Sequence, residues 1–188
     1  HYPLRRQRQM CIRDRGSLVH KILENFFNAI PSSSDLKKLP EDKLQEEINK
    51  HINSAIQLIS QSNFKSIEKE RLIKIINEYI KLEKSREYFQ VIKTESESKV
   101  DVNGLQFSTR IDRMDQMKDG TNLIIDYKTG QNVNLSQLTG DPLDQAQLPI
   151  YAITNPVAGI AFATVNSKDC QFKACLLYTS PSPRDVEE

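Results

Sequence analysis

Asp126-Tyr127-Lys128 closes an apolar run, and an acidic segment, Arg110-Ile111-Asp112-Arg113, precedes it in the chain. In a strand successive side chains alternate faces, so Asp126 and Lys128 point the same way, with Cα atoms roughly 6.5 to 7 Å apart. If Asp112 stands across from Asp126, two carboxylates and an amine converge. Carboxylates on facing strands can hold a hard divalent cation, since Mg²⁺ favours a few carboxylates together with waters and phosphate oxygens. Lys128 would neutralise charge at a phosphoryl centre or orient the attacking water, both of which lower the barrier to phosphodiester hydrolysis. A metal-free reading also exists: Asp112 and Lys128 as a solvated cross-strand ion pair, with Asp126 as a strand-end cap.

The turn between the two segments decides between these readings, because a slip of one residue would send Asp112 to the other face. Lys118-Asp119-Gly120 reads as a three-residue hairpin loop, with Gly120 in the left-handed position that closes such loops with a bulge. Met117 then flanks Thr121, and counting back sets Asp112 opposite Asp126. A two-residue Asp119-Gly120 turn would separate the acids. The opposite face carries Ile111, Leu123 and Ile125, which suit burial against helices.

Three amphipathic helices come first. Leu18 to Ile30 repeats at helical spacing and stops before Pro31; a second helix spans about 41–62, and a third, apolar around much of its circumference, about 66–89. The pattern then turns to β: Val91 to Val102, a turn at Asn103-Gly104, Leu105 to Met117, and Asn122 to Lys128 read as three antiparallel strands. After Thr129-Gly130 and a polar loop, Asp141 as N-cap and Pro142 as first residue start a helix containing Gln147 and Tyr151, which Pro149 should kink. Ala158 to Val165 and Cys170 to Lys173 read as final strands.

These elements carry further candidates. His20 lies beside the apolar stripe of the first helix, where it could ligate a metal or simply pair with Glu24 one turn on. Gln147 and Tyr151, four apart on one helical face, could contact a DNA strand, although a helix packing on the sheet predicts the same pattern. Glu95 and Glu97 share a strand face and could add a carboxylate, or be solvated at a sheet edge. His51, mid-helix among polar residues, receives no role.

Both ends are set aside from fold reasoning. Back-translated, reverse-complemented and shifted in frame, Cys175 to Ser180 yields Met-Cys-Ile-Arg-Asp, which is Met10 to Asp14. One DNA element in opposite orientations resembles a transposon-end sequencing adapter, continued by Pro181 to Asp185. Residues 1–15 and 175–188 are therefore read as adapter-derived and 16–174 as one domain cut short at its C-terminus, the alternative being a natural basic arm and Pro/Ser tail. The ends hold six Lys/Arg and four acids, and removing these from the chain's 26 and 25 leaves 20 basic and 21 acidic residues. A nucleic-acid partner must then be held by a local groove or by other domains. Only Cys170 lies within 16–174, so a disulfide framework or cysteine metal site is not expected. Neither a membrane-spanning run nor a secretory pattern is present, which fits a cytoplasmic setting.

Taken together, Gly16-x-x-x-His20 with Glu24, Arg110-Ile111-Asp112-Arg113-Met114-Asp115, Ile124-Ile125-Asp126-Tyr127-Lys128-Thr129-Gly130 and Gln147-x-x-x-Tyr151 resemble, in order, the motifs of RecB-type nucleases of the PD-(D/E)XK superfamily. The resemblance implies that His20, Asp112 and Asp126 bind the metal, that Tyr127 can offer its backbone carbonyl, that Lys128 is catalytic, and that Gln147 and Tyr151 form the last, substrate-binding motif. Gln147-Leu148-Pro149-Ile150-Tyr151-Ala152 looks most like the AddB-related DNA-repair exonucleases. Some relatives carry an iron-sulfur cluster on four cysteines, which this fragment does not support.

The expected architecture is thus an α/β restriction-endonuclease-like core, a mixed sheet flanked by helices with an N-terminal helical region. The expected function is Mg²⁺- or Mn²⁺-dependent DNA hydrolysis, exonuclease sooner than endonuclease, within a repair helicase-nuclease. No GxxxxGK[ST] phosphate loop occurs, so an ATP-driven motor would lie in another domain or subunit. The alternatives are a non-catalytic DNA-binding or scaffold domain of such an assembly, and a hydrolase of small phosphate esters.

Overall fold

The computed structural model describes residues 2–57, 59, 65–102, 104–130, 148, 152 and 157–176. Helix α1 (Tyr2–Ala29) ends ahead of Pro31, and α2 (Ser33–Lys38) follows at once. Helix α3 runs Glu41–Ile56 and α4 Lys65–Ser85. Five strands complete the element order: β1 (Phe89–Val102), β2 (Leu105–Met117), β3 (Asn122–Lys128), β4 (Gly159–Val165) and β5 (Cys170–Leu176).

Sequence periodicity did not reveal α2. Its signal is a cap: the Ser32 hydroxyl oxygen accepts from the Asp35 backbone N–H at 3.0 Å, and Leu36 is buried beneath the single turn that follows. The third helix stops at Ser85, earlier than its apolar spacing suggests. Phe89 is instead drawn fully into the core at the start of β1, its N–H donating to the Ser33 hydroxyl at 3.2 Å.

The sheet is mixed, in the order β1-β2-β3-β4-β5. The first three strands form an antiparallel meander, β3 and β4 pair in parallel, and β5 returns antiparallel to β4. A parallel pair needs a long crossover, here residues 129–158. The helix expected there at Asp141-Pro142 lies mostly outside the described residues; Leu148 and Ala152, inside that span, are helical.

Every residue of β4 is buried, as for a strand covered on both faces. On one face, Phe26 and Phe27 of α1, Ile52 of α3 and Ile76 of α4 pack against Ile125 and Ala163. On the other, Met114, Ile124, Ile160 and Phe162 form a second cluster under Leu148. Ile111, expected among the helix-facing residues, belongs to this second cluster. Pairing of β2 with β3 stops at Arg113↔Ile125, so Ile111 lies where β2 continues with β1 alone, and two-stranded ribbons twist more strongly than sheets.

Candidate metal and active site

The β2–β3 turn sets the site. The Met117 N–H donates to the Thr121 carbonyl at 2.7 Å and the Gly120 N–H to the Met117 carbonyl at 3.0 Å, enclosing Lys118-Asp119-Gly120. Gly120 has φ +83°, the left-handed conformation that glycine adopts without steric cost. The ladder then runs Gln116↔Asn122 to Arg113↔Ile125, and one further step would set Asp112 against Asp126. The strands part at that step. The Asp112 carboxylate accepts the Tyr127 backbone N–H at 2.7 Å, filling the place of the next ladder bond.

Three segments converge at this fork. Gly16 lets α1 approach the end of β3 closely, a Cβ there lying only 3.2 Å from the Thr129 hydroxyl. One turn later His20 reaches the acids: its Nδ1 lies 3.3 Å from Asp112 Oδ1 and 3.6 Å from Glu95 Oε1. Glu24 is taken up by Lys21 at 2.7 Å. The His20 ring also packs edge-on against Tyr127, with centroids 5.7 Å apart. On the far side of the fork, Lys128 Nζ sits 2.7 Å from Asp126 Oδ2 and 5.2 Å from the centroid of the Phe162 ring. Lys128 is thus the ion-pair partner of a buried Asp126 oxygen.

Electrostatics follow from this crowding. Burial lowers the His20 pKa, but hydrogen bonds to Asp112 and Glu95 and their charges outweigh it and push it up to about 10. Burial, then the Asp112 charge, raises the Asp126 carboxyl to about 6, against the opposing pull of Lys128. Three acids, Glu95, Asp112 and Asp126, are balanced here by Arg110, His20 and Lys128, with the His20 proton as the part of that balance a cation could replace. Metal binding would displace the His20 proton, since ligating imidazole must be neutral.

Sequence reasoning understated Glu95 and missed what lies beneath Asp112. Glu95, across from Asp112 on β1, has φ +43°, a conformation costing a non-glycine residue about 1–3 kcal/mol. Its Oε2 accepts from Arg110 Nε at 2.6 Å. Glu97, its partner in the sequence reading, is exposed. Next to Asp112, Arg113 is fully buried, donating from Nε to Asp115 at 2.6 Å and from Nη1 to Glu83 of α4 at 2.7 Å. Arg86 bridges the same two acids at 2.8 and 2.9 Å, and Phe27 lies under the Arg113 guanidinium at 3.8 Å. This ion network, in which Arg86 Nη2 is buried without a hydrogen-bond partner among the described residues, joins β2 to α4 within one residue of Asp112. His51, read as polar-faced, is in fact buried edge-on against Phe26 at 6.2 Å. Gln147 and Tyr151 lie outside the described residues.

Among the described residues, His20, Glu95 and Asp112 offer donor atoms all within 4.8 Å of one another. Asp126, expected as a ligand, is not one of that group; its carboxyl pairs with Lys128 and feels the charges of Asp112 and His20. A mixed nitrogen and oxygen set of this kind fits a divalent cation such as Mn²⁺ or Mg²⁺. No helix among the described residues is long and apolar enough to cross a membrane.

Comparison with known proteins gives a family-level match. The family model of the PD-(D/E)XK nuclease superfamily matches residues 2–155. Among solved structures, one described as the crystal structure of SSO0001 is similar at 16% identity and a TM-score of 0.36, covering 77% of this chain and 66% of that one. The chain thus spans just under two thirds of that protein's length. No curated protein matches.

Proposed function

Since the chain belongs to the PD-(D/E)XK nuclease superfamily, we propose that it is a metal-dependent deoxyribonuclease whose centre is the fork between β2 and β3. The observation that carries this reading is the meeting of His20, Asp112, Asp126 and Lys128 from three separated segments. His20, Asp112 and Asp126 would hold the cation, with the Tyr127 carbonyl as a further donor. A bound divalent cation supplies charge neutralisation at the phosphate and lowers the pKa of a coordinated water.

The chain's own residues do the rest. Lys128, restrained by Asp126 on one side and the Phe162 ring on the other, presents a fixed positive charge to the scissile phosphate. Asp112 is held by the Tyr127 N–H, so its second oxygen stays aimed at the site. Hydrolysis forms one P–O bond from water and breaks another, the leaving oxygen taking up a proton. The ion network around Arg113 keeps β2 in place while this happens.

The order of the four motifs supports a finer reading: Mg²⁺ or Mn²⁺ as the metal, a RecB-type exonuclease of the AddB-like branch as the class, and a repair helicase-nuclease as the setting. Gln147 and Tyr151 are proposed to contact the DNA strand. Residues 16–174 are proposed as the domain that does this work.

The test is cleavage of an end-labelled DNA duplex and single strand with Mg²⁺, Mn²⁺ or EDTA. Wild-type protein should cut only with metal. The Asp112→Ala, Asp126→Ala and Lys128→Ala proteins, folded by circular dichroism, should not; unchanged cleavage in any of them removes that residue from the mechanism. A metal-dependent activity confined to a mononucleotide ester would favour the small-ester hydrolase.

A further inference from the structure

We infer that Glu95 is a carboxylate donor to the same divalent cation as His20 and Asp112, so that β1 supplies a ligand that the motifs of the family reading do not contain. The inference rests on the metal-dependent reading of the site. Four observations carry it.

Glu95 Oε1 lies 3.6 Å from His20 Nδ1, and all three donor groups fall within 4.8 Å of one another, close enough to share one ion. Glu95 stands where the β1–β2 ladder would pair it with Asp112, between Thr94↔Arg113 and Ser96↔Ile111. Its backbone departs from strand geometry at that one residue, with φ +43°. Finally, Arg110 engages Oε2 and leaves Oε1 turned toward His20. A solvated edge-strand glutamate needs none of this, and Glu97 two residues on shows none of it: it is exposed and is not part of the cluster.

An added carboxylate from β1 changes the chemistry of the site in a defined way. It raises the negative charge of the donor set, which favours a hard dication over water and over monovalent ions. It also ties the β1–β2 ribbon to α1 through the ion, at the point where β2 is no longer held by β3.

The experiment is Mn²⁺ titration of the whole chain by calorimetry, without DNA, for wild type, Glu95→Gln, Glu95→Gly and Glu97→Gln. Glu95→Gln keeps one of the two acceptor oxygens that face Arg110 and His20, and removes the charge. Glu95→Gly removes the carboxylate at a position where glycine adopts the observed φ without strain, so that protein should melt no lower than wild type. Both Glu95 variants should bind Mn²⁺ at least about tenfold more weakly, with Glu97→Gln unchanged. Mn²⁺ affinity within twofold of wild type in both Glu95 variants, while Asp112→Ala loses binding, would overturn the inference. So would a wild-type protein that binds no Mn²⁺. Tight Mn²⁺ binding that depends on Glu95 in a protein that cuts no DNA would instead sink the nuclease reading and leave the ligand assignment standing.

Discussion

The Asp112 carboxylate caps the Tyr127 backbone N–H at 2.7 Å, on the strand that also carries Asp126 and Lys128. A single side chain thus closes the gap left where two strands part and joins the two halves of the site. Replacing Asp112 by asparagine preserves an oxygen for that N–H and removes the negative charge. The Asp112→Asn protein should therefore melt within a few degrees of wild type, while metal-dependent cleavage falls about 10²–10³-fold. Parallel thermal melts and initial cleavage rates check both halves of this expectation.

Arg113 is the counterpart buried one residue away. Its guanidinium is enclosed by Glu83, Asp115 and Phe27, with no exposed surface. Removing one partner from a buried charge cluster leaves the others uncompensated, at a cost of about 3–5 kcal/mol. Arg113→Met should show a loss of that size in urea unfolding, far beyond that of an exposed control such as Lys43→Met.

The same cluster predicts an acid limb. Burial pushes the Glu83 carboxyl up, but the charges of Arg113 and Arg86 and the Tyr79 hydroxyl outweigh it and hold it below its ordinary 4.5. The unfolded chain therefore takes up this proton first as the pH falls, and stability rises with pH wherever the unfolded state binds more protons. Glu83 contributes fully above about pH 4.5 and progressively less below it. Urea unfolding followed from pH 7 to pH 3 should show that decline, and Glu83→Gln should flatten it while lowering stability at neutral pH.

The turn offers a subtler test. A Cβ added at Gly120 meets nothing within 4 Å, so the only cost of Gly120→Ala is its φ of +83°. That cost should be about 1–2 kcal/mol. Cleavage per folded molecule should be unchanged if the ladder holds its register, whereas a shifted register would take Asp112 away from Asp126 and abolish it.

Much of this arrangement was legible in the chain because local chemistry and pattern agree. The glycine at the third loop position and the alternation after it fix the β2–β3 register without reference to any other part of the molecule. Helix α2 was hidden because six residues give too little periodicity, though Ser32 and Asp35 carry its cap. The side on which Ile111 lies depends on where β2 leaves β3, which no strand pattern encodes. Glu83, Arg86, Arg113 and Asp115 look like solvated charges in sequence, since their compensation comes from partners about 30 residues apart on a helix and a strand. Glu95 could not be told from Glu97 as the carboxylate that joins the site, because a positive φ at a glutamate has no sequence signature.

Helix α1 faces two ways. Phe26 and Phe27 near its C-terminal end are sealed in the interior, and His20, two turns earlier, reaches the acids of the fork. Whatever occupies that fork is thereby wired to the oily centre of the molecule. An ion gripping the imidazole would make every opening of the helix more costly, and the slowing of amide exchange would extend along α1 well past the residue that touches it.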